Sequence, residues 1–410
     1  MKKQLFLLAA ILAMASSTTA WAYTFSAVAP SGQTLYYDIW GNGAYVTYEE
    51  YEYGVPSYYS NISGDLVIPD SVQHDGTWYT VVAIDSGCFR GCTALTSVTI
   101  PTSLKRIDYN AFSNCTGLIT INYNADSCCL GWGGWDGAFP CGIFEGCTNV
   151  TTINIGNDVR YVPAFLFYDC TGLQTMTVGR GVQYFNRDAL PYTPTNFTTL
   201  NFNATQCHFY SSNDGHGHTY SVWTDNGYEE QRYYKELSPF QDCNALVNVN
   251  IGMDVTVLAR YFFDGCQALT SVTIPSGITE MYGTFYYCQH LTTIHCLAEY
   301  PPICDDDTFE GVPAYADIIV PCGAAYRYQL CDYWNAFSRI TEDCDGIDDV
   351  EDNSMRVWTE DGQIKVEEAD GLIMHVFDME GRQIANNNIP SGVYLVKIGS
   401  LPARKVVVIR

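Results

Sequence analysis

One motif returns along most of this chain, and it limits the possible folds more than any other feature. Cys92-Thr93-Ala94-Leu95-Thr96-Ser97-Val98-Thr99-Ile100 comes back as Cys115-Thr116-Gly117-Leu118-Ile119-Thr120-Ile121-Asn122-Tyr123. The same frame recurs at Cys147, Cys170, Cys243, Cys266 and Cys288, with steps from Cys92 onward of 23, 32, 23, 73, 23 and 22 residues. The long step hides a degenerate copy: Pro194 stands in the Cys position, and Phe197, Leu200 and Phe202 follow in register. Three residues before each repeat Cys sits a Phe: Phe89, Phe112, Phe144, Phe167, Phe240, Phe263 and Phe285. A fixed period of this size is the signature of stacked supersecondary units.

The alternation inside the motif says how each unit folds. Val98 and Ile100 share one strand face and point inward, while Ser97 and Thr99 point out. Pro101 ends the strand, because it cannot donate to a ladder. One unit cannot bury its apolar edge alone, but about eight stacked units make one continuous core. The predicted fold is therefore a β-rich leucine-rich-repeat solenoid of about 23-residue coils with short helical or 3-10 turns. A residue that recurs once per coil lies above its equivalent, so the seven repeat Cys are expected to form a buried thiol ladder. Disulfides between adjacent rungs are the alternative, since Cα separations near 5 Å lie in the bonding range.

The rest of the chain frames this array. Lys2 and Lys3, the apolar run Leu5 to Ala15 and the small-x-small site Ala20-Trp21-Ala22 are expected to form a signal peptide over 1–22. No later stretch has the length of a transmembrane segment. Residues 23–82 are dense in aromatics, with a first strand expected near Leu35, and read as a β-rich N-terminal cap. The solenoid covers 83–342, with insertions near 124–142 and 203–238. Tyr326, Trp334 and Phe337 are spaced for a short helix in a C-terminal cap. An acidic linker at 343–353 leads to short alternating segments over 354–410, predicted to be a small β-sandwich. Of the irregular Cys, Cys128 or Cys129 could pair with Cys141. Cys322, Cys331 and Cys344 cluster near the array's end, their pairing left open.

The formal net charge is −25, and loss of Lys2 and Lys3 with the leader would deepen it to −27. Such a field repels phosphate backbones and anionic lipid, so nucleic acid is not an expected partner.

The Phe-x-x-Cys-x-x-Leu-x-x-Val/Ile-x-Ile-Pro units over residues 60–342 resemble the BspA-type leucine-rich-repeat surface proteins. That resemblance implies an exported protein that adheres to host proteins or to other bacteria. The last segment, with Asp378-x-x-Gly381-Arg382, Gly392-Val393-Tyr394 and the terminal Lys405-Val406-Val407-Val408, resembles a type IX secretion sorting domain. It departs from that pattern at its start, where Asn353-Ser354 replaces the common Tyr-Pro-Asn-Pro. The resemblance implies the outer-membrane export machinery as a partner and a secreted, extracellular or outer-membrane-surface location.

Chemistry-bearing constellations are sparse. Cys207-His208 with His216-Gly217-His218 could bring three ligands to one metal, but the spacing fits no zinc signature. Asp305-Asp306-Asp307 and the acidic run Asp343 to Asp349 lack the EF-hand spacing and read as solvated turns. No phosphate loop, nucleophile elbow or Cys-protease signature is present. The expectation is no catalytic residue, no resident metal, no cofactor and no enzymatic activity. The informative surface is the outward strand row: Thr99, Thr120, Asn122, Thr152, Asn154, Thr175, Thr177, Asn248, Asn250 and Thr273, with Ser97, Thr199, Asn201, Ser271, Thr293 and His295 beside them. Thr and Asn suit any exposed strand. Read as a site, the row is an uncharged sheet that docks a host extracellular protein or a bacterial surface protein, framed by Trp132 and Trp223. Glycan capture is the alternative, since Trp and Tyr also stack on sugars.

Overall fold

A computed structural model describes residues 20–344 apart from 22, 53–54, 58, 60, 127–128, 131–141, 192–193 and 211–239, together with strand segments between 357 and 408. The chain divides into two compact units, residues 1–342 and 343–410. The leader lies outside the described residues, apart from Ala20–Trp21.

The first unit is the repeat array. The motif strands Leu95–Ile100, Thr120–Tyr123, Thr152–Ile155, Thr175–Val178, Thr199–Phe202 and Asn248–Ile251 pair in parallel, one per coil. Gly64–Val67 adds a seventh strand at one edge. The register keeps period-2 patterning: Thr120 lies beside Thr152 and Ile121 beside Ile153. Val98, Ile100, Ile121, Ile153, Met176 and Leu200 are fully buried. The degenerate copy holds, with Pro194, Phe197, Leu200 and Phe202 all buried and Leu200 paired to Met176.

The motif Phe forms a second continuous feature. Tyr59, Phe89, Phe112, Phe144 and Phe167 stack in sequence, with ring centroids 4.9, 4.9, 5.3 and 6.0 Å apart. Tyr59 therefore supplies the first rung, and the N-terminal segment contributes to the stack as well as covering it. Past the insertion, Phe263, Phe285 and Phe309 continue the column at 5.8 and 6.1 Å. Each such pair adds about 0.5–1.5 kcal/mol beyond the burial of its rings.

The repeat Cys follow from the same stacking. Cys92, Cys115, Cys147, Cys170, Cys243, Cys266 and Cys288 are free and buried. The Cys115 thiol donates to the Phe89 carbonyl at 3.1 Å, Cys147 to Phe112 at 3.1 Å, Cys266 to Phe240 at 3.3 Å and Cys288 to Phe263 at 3.0 Å. Cys92 makes the same bond to Tyr59 at 3.0 Å. These five thiols thus fill a small buried space and donate to a carbonyl of the neighbouring coil, which an apolar side chain could not do.

The repeat turns bond in the 3-10 manner, i to i+3, but in steps too isolated to build a helix. Among the described residues the only helices are Ala325–Leu330 and the 3-10 turns Arg187–Ala189 and Trp334–Ala336. The repeat turns carry single i to i+3 bonds, such as Cys115 N–H to Phe112 O at 3.3 Å. The cause is a left-handed residue two before and two after the motif Phe, which interrupts any helical run. Gly87, Asn110, Phe165, Tyr261 and Gly283 occupy the first position with φ from 56° to 62°. Gly91, Asn114, Gly146, Asp242, Gly265 and Tyr287 occupy the second with φ from 54° to 75°. Gly, Asn and Asp suit this conformation, whereas Phe165, Tyr261 and Tyr287 are strained there by about 1–3 kcal/mol each.

Two expected insertion boundaries are corrected. The coil expected to break off at 124 continues, with Ala125 buried and Cys129–Leu130 paired in parallel with Arg106–Ile107. The second insertion starts after Tyr210, because His208–Tyr210 pairs with Tyr184–Asn186. Apolar Phe209 and Cys207 both lie in the core there, a signal that the polar surroundings obscured. A third finding is a seam. Ser271–Ile274, Thr293–Cys296, Asp317–Pro321 and Arg339–Asp343 form a separate 4-stranded sheet, which does not continue the strand Asn248–Ile251. On the turn side the coils stay joined, by Asp242 N–H to Asp264 O at 2.8 Å and by the Cys266 thiol bond.

The array's end is closed by edge-on aromatics. Trp334 packs on Phe309 at 4.8 Å and 67°, and its indole donates to Pro302 O at 3.0 Å. Tyr328, on the helix Ala325–Leu330, donates to Ala298 O at 2.7 Å. At the other end, an antiparallel sheet runs through Phe25–Val28, earlier than Leu35, then Thr34–Trp40 and Gly43–Thr47.

In the second unit Val357–Glu360 and Gln363–Val366 form a hairpin. Gln383–Ile384, Met374–Phe377, Gly392–Ile398 and Arg404–Val408 form a 4-stranded antiparallel sheet. Asn386 ties the hairpin in, accepting from Ile364 N–H and donating to Ile364 O, both at 2.8 Å. Asp378, Gly381 and Arg382, on which the expected sorting-domain resemblance partly rests, lie outside the described residues.

Phe112→Ala should lower stability by about 3–5 kcal/mol through the cavity it leaves, read as a lower urea midpoint. Gly146→Ala should also lower the midpoint, since its Cβ would meet Asn114 Oδ1 at 2.5 Å. Tyr287→Gly should leave the midpoint unchanged or raise it by about 1 kcal/mol, because it relieves a left-handed aromatic.

Candidate binding surface

The outward residues of the motif strands form two rows on the 7-stranded sheet. One row runs Ser97, Thr120, Thr152, Thr175, Thr199, Asn248, and the other Thr99, Asn122, Asn154, Thr177, Asn201, Asn250. All are half-exposed except Asn248 and Asn250, which are exposed. Nine of the ten strand residues singled out from sequence thus share one face. Thr273 does not, because the seam puts it on the second sheet.

The second row is bonded sideways in two stretches, Thr99 to Asn154 and Thr177 to Asn250. Asn122 Nδ2 donates to Thr99 Oγ1 at 3.2 Å and Asn154 Nδ2 to Asn122 Oδ1 at 2.9 Å. Asn201 Nδ2 donates to Thr177 Oγ1 at 3.2 Å and Asn250 Nδ2 to Asn201 Oδ1 at 2.7 Å. Each Asn uses one amide hydrogen sideways and keeps the other, plus carbonyl lone pairs, for a partner. Rotamers held this way lose little entropy on binding. At the Gly64–Val67 edge, Asp65 accepts from Ser97 Oγ at 2.7 Å and Thr96 Oγ1 at 3.1 Å. Neither the lateral bonds nor the edge carboxylate was read from the sequence; Asn recurring at a strand position 32 residues apart was the available signal.

The Trp residues expected to frame the sheet, Trp132 and Trp223, lie outside the described residues. Among the described residues the most exposed Trp are Trp40 and Trp78, at 78% and 66%, both in the N-terminal segment.

The other chemical candidates resolve individually. Cys207 is buried while its strand neighbour His208 is exposed, because adjacent strand residues face opposite ways. The two therefore cannot ligate one ion together, and His216 and His218 lie outside the described residues. Asp305 and Asp307 are engaged by Arg260 Nη2, at 2.7 and 3.3 Å. Cys322 and Cys344 are disulfide-bonded, whereas Cys331 is free. Cys128, Cys141 and most of the acidic run 343–349 lie outside the described residues.

Cys170, Cys243, Cys266 and Cys288 are poor nucleophiles, which need an ionised sulfur, whereas a bond with Cys115 lowers the Cys92 thiol. Burial pushes Cys243 and Cys288 up to about 12, with Asp242 and Asp264 respectively adding to the rise. Cys170 and Cys266 are raised well above the ordinary value by burial and by neighbouring ladder thiols.

The parallel stack, its Phe and Cys columns and its outward Asn and Thr rows define a leucine-rich-repeat protein. The family described as BspA type leucine-rich repeat region matches in 6 copies over residues 76–130, 139–213 and 236–325, and the chain belongs to that family. No curated protein matches the chain. Among solved structures, a leucine-rich repeat protein from Bacteroides ovatus is 15% identical, with 78% of this chain and 100% of that one covered and a TM-score of 0.29. A leucine rich cell surface protein from Faecalibacterium prausnitzii is 19% identical, with 78% and 99% covered and a TM-score of 0.25. The pneumococcal vaccine antigen PcpA is 13% identical, with 78% and 99% covered and a TM-score of 0.24.

In native protein the ladder thiols should resist alkylation and become labelled only on unfolding, while Cys322 and Cys344 should need prior reduction, as mass spectrometry of labelled peptides would show. Raised thiols also set a pH dependence. The unfolded thiols ionise near their ordinary value of 9.0 while folded Cys243 and Cys288 stay neutral to about 12. Stability is then full below pH 9 and lost as pH rises through that window, which urea midpoints from pH 8 to 11 would measure.

Proposed function

We propose that this is a non-enzymatic surface protein that adheres to a host extracellular protein or a bacterial surface protein through its Asn/Thr sheet. The observation that carries the reading is the lateral bonding of Asn122, Asn154, Asn201 and Asn250, which fixes a row of donors and acceptors before any partner arrives. Membership of the BspA-type family is consistent with binding or adhesion, and the raised, buried thiols argue against cysteine chemistry. Residues 1–22 act as an export leader in this reading. Residues 343–410 act as a β-sandwich sorting domain for outer-membrane export, leaving the protein secreted or on the outer-membrane surface.

The test is a pull-down of the full mature chain against host matrix proteins, bacterial surface proteins and bacterial glycans. Asn154→Lys and Asn201→Lys put charge into the row without touching the core. The expected result is retention of a protein partner by wild type and loss of more than tenfold in affinity in both variants. Retention unaffected by either substitution would sink the sheet as the site. Retention of glycan alone, abolished by Trp40→Ala or Trp78→Ala, would replace the reading with polysaccharide capture.

A further inference from the structure

A second surface lies on the turn side of the last coils, outside the Asn/Thr sheet. Backbone bonds align three turns there: Tyr261 N–H to Tyr282 O at 3.0 Å, Gly265 N–H to Tyr286 O at 2.8 Å and Tyr287 N–H to Glu310 O at 2.7 Å. They gather a tyrosine cluster. Tyr261 meets Tyr286 edge to face at 5.7 Å, and Tyr286 meets Tyr287 at 4.5 Å. Tyr287 is exposed and Tyr286 half-exposed. Tyr261 and Tyr287 occupy left-handed positions, φ 56° and 54°, that the other described coils, except that of Phe165, give to Gly, Asn or Asp. Aromatics kept in a strained conformation at the surface need a reason beyond the fold.

The charge around them is one-sided. Between residues 240 and 311 the chain carries nine Asp and Glu, one Arg and no Lys. That Arg, Arg260, lies over the Tyr261 ring at 5.0 Å and is taken up by Asp305 and Asp307. Asp307 also accepts from the Tyr261 hydroxyl at 2.6 Å. Asp242, Asp306 and Glu310 are exposed; Glu310 lies against Tyr286 and Tyr287, and Asp242 against Asp264 on the neighbouring turn. Asp264 is pushed up to about 6, first by burial and then by the charge of Asp242, as befits a carboxylate with a like charge for a neighbour.

We propose that this tyrosine surface, rimmed by Asp242, Asp264, Asp306 and Glu310, docks a Lys- and Arg-bearing segment of another protein. The carboxylates supply charge complementarity, and the Tyr286 and Tyr287 rings accept ammonium or guanidinium groups over their faces. The surface is separate from the Asn/Thr sheet, so the two readings can fail independently.

The experiment titrates the full chain with a short Lys- and Arg-rich peptide by calorimetry at physiological salt. Tyr286→Ala and Tyr287→Gly keep the net charge, and the second also relieves a strained turn. Each is expected to weaken binding roughly tenfold, as is Asp264→Asn, while no urea midpoint falls below the wild-type value. Asp75→Asn, a charge removed from the N-terminal segment, and Asn154→Lys, on the sheet, are expected to change affinity less than twofold. Equal affinity in the tyrosine variants, or an equal loss in Asp75→Asn, would mean attraction to net charge alone and overturn the proposal. So would a neutral oligosaccharide that binds at Tyr286 and Tyr287 while the peptide does not.

Discussion

Coil-to-coil stacking in parallel register is the constraint on which the rest of the first unit depends. No coil has a core of its own; its apolar edge is buried only by the coils on either side. Once coils stack, every repeated position becomes a column, and each column must tolerate contact with itself. Phe does so by offset stacking, aliphatic residues by interdigitation, and Cys by donating to the carbonyl of the next coil. Residues that cannot satisfy a copy of themselves overhead are excluded, which explains the poverty of charge inside the array.

The same constraint produces the exterior. Columns on the outer strand face also meet themselves, and Asn and Thr solve that by bonding sideways. Order on the surface is thus a consequence of order in the core, and the Asn/Thr face is as stiff as the sheet beneath it. The turn columns are less uniform. Their left-handed positions accept Gly, Asn and Asp without strain, so Tyr261 and Tyr287 stand out as choices the stack did not require.

Much of this was legible in the sequence because repetition makes single-residue periodicity reliable. The Phe and Cys columns, the inward Val98 and Ile100, and the Pro194 copy were all readable from spacing. Turn conformation was not, because φ at Asn110 or Tyr261 leaves no periodic trace in hydrophobicity. Insertion limits were misjudged where polar residues surround buried ones, as at Cys207 and Phe209. The lateral bonds of Asn154 and Asn201 depend on neighbours 32 and 49 residues away, and local reading does not show them. The seam beside Asn248–Ile251 was invisible for a different reason, since the motif continues through Cys266 in perfect register.

That seam has a mechanical meaning. On either side of it, neighbouring coils are fastened along both the strand flank and the turn flank, so each block resists flexure. At the seam the strand ladder lapses, and the coils are held by the Asp242 amide, the Cys266 thiol and the packing of Phe262 on Phe202 and Phe240. Load carried along the array therefore crosses that joint through packed rings and turn bonds in place of a continuous backbone ladder.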